Sequence, residues 1–281
     1  LLKFLINILG AIFNLLVFGG LASIFLVLLL VSYYGNDLPS ASEIENYKPE
    51  TLSRIYDTDG NVLGIFGEKN RIYTPISDIP ELVKNAFISA EDKNFYIHPG
   101  YDPVGLLKAI TDVFRGKKLR GASTITQQVM KNFLLSRERT GKRKIKELIL
   151  AARIERVLSK DEILNVYLNE IYLGQRAYGV TAASITYFNK RLDELNIAEA
   201  AYLAALPKAP SFYHPIKRKK RSILRRNFVL RELRENGYIS LEEETTYKQF
   251  DLVTKINEKD KELSLEKNNS YFNDQINRLI K

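Results

Sequence analysis

Residues 121–128 read Gly121-Ala122-Ser123-Thr124-Ile125-Thr126-Gln127-Gln128, and the pattern runs on to Lys131 and Phe133. Ile125, Val129 and Phe133 recur every four residues, the interval that lines up one face of a helix. Ser123, Gln127 and Lys131 recur at the same interval and form a polar stripe, widened by Thr124 and Gln128. Ser123 is expected to cap this helix, because a serine hydroxyl accepts from the free N–H groups of a first turn. A solvated helix face would carry charges. A Ser/Thr/Gln block beside one lysine instead suits phosphate or sugar oxygens.

Upstream lies Glu91-Asp92-Lys93-Asn94-Phe95, followed by His98-Pro99-Gly100. Pro80 fits the first turn of a helix carrying Leu82, Val83, Ala86 and Phe87. Glu91 follows Phe87 by four, so it shares the buried stripe and falls near the C-terminal end. Burial and the negative helix end both raise a carboxylate pKa, which suits a general base near neutrality. On spacing alone a helix-end acid beside a loop histidine explains the same residues better, since 33 acidic residues offer many chance clusters.

Downstream, Arg143 and Lys144 precede Glu147 by four and three residues. They share its helix face, favouring an ionised Glu147, and a structural ion pair is the better reading from spacing. Arg139 lies just before. Ser159 with Glu162 forms a capping box ahead of Ile163, Tyr167, Leu168 and Ile171, with Gly174 as the helix stop. Ser240 with Glu243 repeats the device. Nearer the N-terminus, Leu52–Asp57 and Asn61–Phe66 are β-prone and flank Thr58-Asp59-Gly60, a hairpin signal.

The ends bear on the compartment. No charged residue occurs from Phe4 to Asn36, and the run is longer than the ~20 apolar residues a bilayer requires. Lys3 precedes the span, whereas Asp37, Glu43, Glu45 and Glu50 outnumber Lys48 after it. The lean is N-terminus inside, bulk outside, with Tyr33 and Tyr34 at the interface. The 281 residues carry a formal charge of +9 and no cysteine, which excludes disulfides and thiolate metal sites. The charge concerns partners rather than fold: nucleic acid, anionic lipid or a phosphate-bearing substrate. The basic residues are not interleaved with aromatics as in a stacking module, so no nucleic acid is expected. The run Lys217–Arg221, with Arg225 and Arg226, reads first as a solvated helix face, with a membrane-facing or pyrophosphate-attracting role as the second reading. Met130 is the sole methionine and the chain opens at Leu1, so a trimmed or partial chain is expected.

Taken in order, Glu-Asp-Lys-x-Phe-x-x-His-x-Gly, Gly-Ala-Ser-Thr-Ile-Thr-Gln-Gln, Arg-Lys-x-x-Glu, Tyr-Leu-Asn-x-Ile-Tyr-x-Gly (167–174) and Leu-Ala-Ala-Leu-Pro-Lys-Ala-Pro (203–210) resemble the peptidoglycan glycosyltransferase family. This is glycosyltransferase family 51, found in class A penicillin-binding proteins and monofunctional transglycosylases. The resemblance covers roughly residues 52–240. Leu38-Pro39 and Arg54-Ile55-Tyr56-Asp57 are similar to the bifunctional class A proteins in particular. Ala122 stands where many members have a second glycine.

The resemblance implies a mainly α, lysozyme-like helical domain with a small membrane-associated jaw lobe, preceded by one transmembrane helix and a short β-hairpin. The bounds are 4–34 for the span, 37–51 for a connector, 52–250 for the catalytic domain with the jaw near 102–121, and 251–281 for a charged tail or the start of a linker. Ser264-Leu265-Glu266-Lys267 fits a Ser-x-x-Lys pattern but lies in that tail without a Lys-Thr-Gly, and is not expected to be a penicillin-binding nucleophile.

The implied reaction joins lipid II to a growing glycan chain carried on undecaprenyl pyrophosphate. Glu91 would be the base on the acceptor 4-hydroxyl, and Glu147 a second catalytic glutamate in a supporting role. Lys131 and Arg139 match positions that neutralise the leaving pyrophosphate. Ser123, Thr124, Gln127 and Gln128 would line the donor side, and Arg143, Lys144, Asp92 and His98 would belong to the substrate-binding set. Asn169, Tyr172 and Lys208 would support the fold. Some members use Mg or Mn with the pyrophosphate, although no dedicated ligand cluster is visible in the sequence. Implied partners are lipid II, the growing glycan, membrane lipids and cell-wall synthesis proteins at the inner membrane. Competing readings are a lytic transglycosylase, disfavoured by Lys131, Arg139 and Arg143, and a membrane-tethered adaptor without activity.

Overall fold

The computed structural model describes residues 2–35, 38–39, 53–56, 62–66, 70–103, 105, 111, 115–116, 123–133 and 141–256. Most of the jaw region, Arg139, the Thr58–Gly60 turn and the tail beyond 256 lie outside the described residues.

Helix α1 (Leu2–Gly35) is mostly apolar, with Lys3, Asn7 and Asn14 among its few polar residues, is exposed over most of its described length, and is long and apolar enough to cross a membrane. Strands β1 (Ser53–Tyr56) and β2 (Val62–Phe66) pair antiparallel with an irregularity at Ile55/Tyr56, the hairpin expected from sequence. Short strand β3 (Asn70–Arg71) pairs in parallel with β4 (Ala177–Tyr178). The remaining described elements are helical, in agreement with a mainly α fold: α2 (Glu81–Glu91), α3 (Ile125–Phe133), α4 (Gly141–Ile154), α5 (Lys160–Glu170), α6 (Val180–Phe188), α7 (Ile197–Ala205), α8 (Lys219–Glu235) and α9 (Leu241–Gln249).

Helix α7 is the centre of the core. Its sequence Ile-Ala-Glu-Ala-Ala-Tyr-Leu-Ala-Ala is alanine-rich, and Ala200 through Ala205 are fully buried. Small side chains let neighbouring backbones approach closely, and α2 and α8 pack on this helix. Helix α3 packs on α4 and α5. The end of α2, the start of α3 and the middle of α8 thereby converge.

Local signals decide most helix ends. Ser159 and Ser240 both form complete capping boxes, with Glu162 and Glu243 respectively, as the sequence predicts. Three boundaries differ. Pro80 is the residue before α2, with ψ of 143°, rather than part of its first turn. Helix α5 stops at Glu170, because Ile171 is extended; Gly174, at φ +88°, instead turns the following loop. At α3 the capping oxygen belongs to Thr124, which accepts from Gln127 N at 3.2 Å, and Ser123 is released for another partner.

Long-range polar ties fasten the N-terminal segment to α5. Asn169 is buried, accepts from Thr74 N at 2.8 Å and donates to Thr74 O at 2.9 Å. Arg71 and Glu170 form a buried ion pair at 2.5 Å. The basic face expected on α8 is not uniformly solvated. Arg226 is fully buried and donates to Phe250 O at 2.7 Å and Lys248 O at 3.1 Å. It satisfies carbonyls at the end of α9 that would otherwise lack donors.

Candidate functional site

Glu91 is the last residue of α2, and its side chain is 12% exposed. Its pKa is raised above the usual carboxylate value, first by burial and in small part by Asp92. Gln128, Arg225 and Lys208 oppose that shift. Burial is therefore the dominant cause, as the Phe87–Glu91 spacing predicts. The two carboxylate oxygens differ. Oε2 accepts from Gln128 Nε2 at 2.8 Å. Oε1 is buried and has no hydrogen-bond partner, with Arg225 Nη2 3.8 Å away. A carboxylate anchored through one oxygen and without a hydrogen bond at the other, with a raised pKa, has the chemistry to take a proton from a hydroxyl bound against it.

Asp92 and His98 do a different job. His98 Nε2 lies 2.9 Å from both Asp92 carboxylate oxygens, and His98 Nδ1 accepts from Gly100 N at 3.2 Å. Asp92 also accepts from Ile125 N at 2.9 Å. One buried carboxylate thus joins the end of α2, the loop after it and the start of α3. Thr124 Oγ1 donates to Gly100 O at 2.7 Å, adding a second tie to the same loop. Lys160, which the sequence reading does not single out, donates to His98 O at 2.6 Å and to Glu155 at 2.7 Å while covering the Phe95 ring at 4.6 Å. These groups hold Glu91 in place, and their buried bonding leaves little of them for a ligand.

A second centre forms where α3 faces α4. Glu147 is buried and pairs with Arg143 at 2.9 Å and Lys144 at 3.3 Å, the contacts the i+3 and i+4 spacing predicts. Lys144 Nζ also donates to Ser123 Oγ and Gln127 Oε1, both at 2.8 Å. The polar stripe on α3 is therefore divided: Gln128 turns to Glu91, whereas Ser123 and Gln127 turn to Lys144. Lys131 is exposed at the far end of α3. The arrangement is a cationic patch with neutral oxygens and amides beside it, suited to an anion with several oxygens.

The sequence places Arg225 on a basic face, solvated or facing membrane or pyrophosphate, and Lys208 in a fold-supporting motif; in the structure both act on Glu91. A signal was present: Phe228 and Val229 follow Arg225 at three and four residues, so it shares a helix face with apolar groups. The guanidinium lies 4.4 Å from the Phe228 ring centroid. The groups that act on Glu91 are Gln128, Arg225, Lys208 and Asp92, with the buried Tyr167 hydroxyl close by. Arg225 favours the ionised form, so Arg225→Met removes stabilisation of the carboxylate and raises its pKa further. The acidic limb of kcat/KM against pH is expected to move to higher pH, which a pH–rate series on parent and variant measures.

Among the described residues, no group of three or more His, Cys, Asp or Glu side chains is placed to hold a metal ion.

Comparison with known proteins gives a consistent result. The model of the transglycosylase family matches residues 59–234. The chain is 50% identical over 218 residues to penicillin-binding protein 1A of Neisseria flavescens, covering 77% of this chain and 27% of that protein. It is 45% identical over 215 residues to penicillin-binding protein 1A of Rickettsia prowazekii, covering 75% and 27%. It is also similar to the crystal structure of penicillin-binding protein 1A from Haemophilus influenzae, with a TM-score of 0.43, 28% identity, and coverage of 75% and 22%. The chain thus spans less than a third of the length of these relatives.

Proposed function

The chain belongs to the transglycosylase family, and from that premise we propose that it polymerises lipid II into glycan strands by inverting glycosyl transfer. The observation that carries this reading is the asymmetry of Glu91: Oε2 held by Gln128, Oε1 buried without a hydrogen-bond partner. Glu91 takes the proton of the acceptor 4-hydroxyl as that oxygen bonds to the donor anomeric carbon. The bond from that carbon to the pyrophosphate oxygen breaks, and undecaprenyl pyrophosphate leaves with the electron pair. Lys144 and Arg143, with Lys131 and Arg139, supply positive charge for the leaving group, an electrostatic role often worth more than proton transfer itself. Glu147 pairs with Arg143 and Lys144 and fixes their direction. Any Mg²⁺ or Mn²⁺ would enter with the pyrophosphate, since Asp92 and Glu147 are committed to protein partners.

Lipid substrates also account for α1, which would anchor the chain in the inner membrane with the catalytic domain outside, within reach of other cell-wall synthesis proteins. The cationic centre favours synthesis over lysis, because cleaving a polymer releases no pyrophosphate. Incubating the full chain with fluorescent lipid II tests the reading. Long glycan strands, degraded by a muramidase, are expected. Failure to lengthen lipid II while shortening preformed glycan would support the lytic alternative instead.

A further inference from the structure

Helix α1 is bare for most of its length, but its last turn is not. Gly35 is buried, Tyr34 packs against the core, and Leu38 just beyond belongs to the core. The turn lies against α4. There Arg153 Nη2 donates to Gly35 O at 2.8 Å. The last carbonyls of a helix lack intrahelical donors and carry partial negative charge, so a guanidinium is a suitable partner. The fit is close: a Cβ at position 35 would lie 2.9 Å from Arg153 Nη2. A side chain at position 35 would make the guanidinium, the far end of a flexible side chain, shift.

Arg153 is on the same helix as Arg143, Lys144 and Glu147. At 1.5 Å per residue, Glu147 is about 9 Å and Lys144 about 14 Å along the axis from the joint. The diphosphate of a lipid-linked sugar sits at the headgroup plane, tethered by a tail whose withdrawal exposes methylenes to water. A cation site at the wrong height is therefore not met by the substrate rising to it.

We propose that the Arg153–Gly35 joint sets the height of the α4 cation site above the membrane, which makes Arg153 a positioning residue for membrane-embedded substrate. The inference rests on the glycosyl-transfer reading of that site. The test compares the full-length chain in liposomes containing lipid II with the same chain in detergent acting on a short-chain, water-soluble lipid II analogue. Arg153→Ala is expected to lower kcat/KM in liposomes roughly tenfold, mainly through KM, and to stay within about twofold of the parent in detergent. Arg153→Lys, which keeps a donor, restores most of the loss. Arg153→Gln, which keeps a polar side chain but lacks the reach to Gly35 O, is expected to show the same selective defect and serves as the test should Arg153→Ala not fold. Equal losses in both assays, or none in either, overturn the joint. A parent chain inactive on both substrates would instead overturn the glycosyl-transfer reading.

Discussion

Glu91→Gln is expected to lose lipid II polymerisation by a factor of about 10²–10⁴, the usual contribution of a positioned base. The substitution is nearly isosteric, and the side-chain carbonyl of glutamine can still accept from Gln128, which now donates to Glu91 Oε2 at 2.8 Å. It removes only the ability to take a proton at the other oxygen. Because burial disfavours the charged form of Glu91, the variant sheds a desolvation cost, and its thermal stability should match or exceed that of the parent. Loss of chain growth with an unchanged or raised Tm is the expected pair of results. A glutamine variant that polymerises lipid II at the parent rate would remove Glu91 from the chemistry.

The largest effect on stability is expected at Glu170. It pairs with Arg71 at 2.5 Å, and the two side chains are 8% and 2% exposed. Glu170→Ala takes a carboxylate away from a buried guanidinium, a change that costs about 3–5 kcal/mol. At about 2–4 °C per kcal/mol for a domain of this size, Tm should fall by roughly 10 °C. The pair fastens the segment before α2 to the end of α5, beside the Asn169–Thr74 bonds. The loss should therefore appear as cooperative destabilisation, read by calorimetry. A Tm within about 2 °C of the parent would place this contact among the weak surface pairs.

How much of this was legible in the sequence follows from the reach of each interaction. Contacts within one or two helical turns were readable: the capping boxes at Ser159 and Ser240, the burial of Glu91 behind Phe87, and the pairing of Glu147 with Arg143 and Lys144. Each depends on a fixed offset along the chain. Contacts between helices were not. Periodicity put Ser123, Gln127, Thr124 and Gln128 on one polar stripe, but it could not divide them between Lys144 and Glu91. It left Arg225 among surface cations because an Arg-rich stretch looks solvated until its neighbours in space are known. Arg226 was misread for the same reason, since its partners are backbone carbonyls of a later helix. At helix ends, competition among adjacent candidates decided the outcome: Thr124 took the cap expected of Ser123, and extended Ile171 ended α5 before Gly174 could.

The alanines of α7 carry a consequence for how this domain tolerates sequence change. Their methyl groups set the spacing at which α2 and α8 lie, and with it the gap between Glu91 and Arg225. A larger side chain at Ala200, Ala201 or Ala204 would wedge the two apart without touching any reacting group. The helix with the least chemistry in its side chains thus sets the distance between two groups of the site, and an overpacking change there is expected to alter that distance as well as stability.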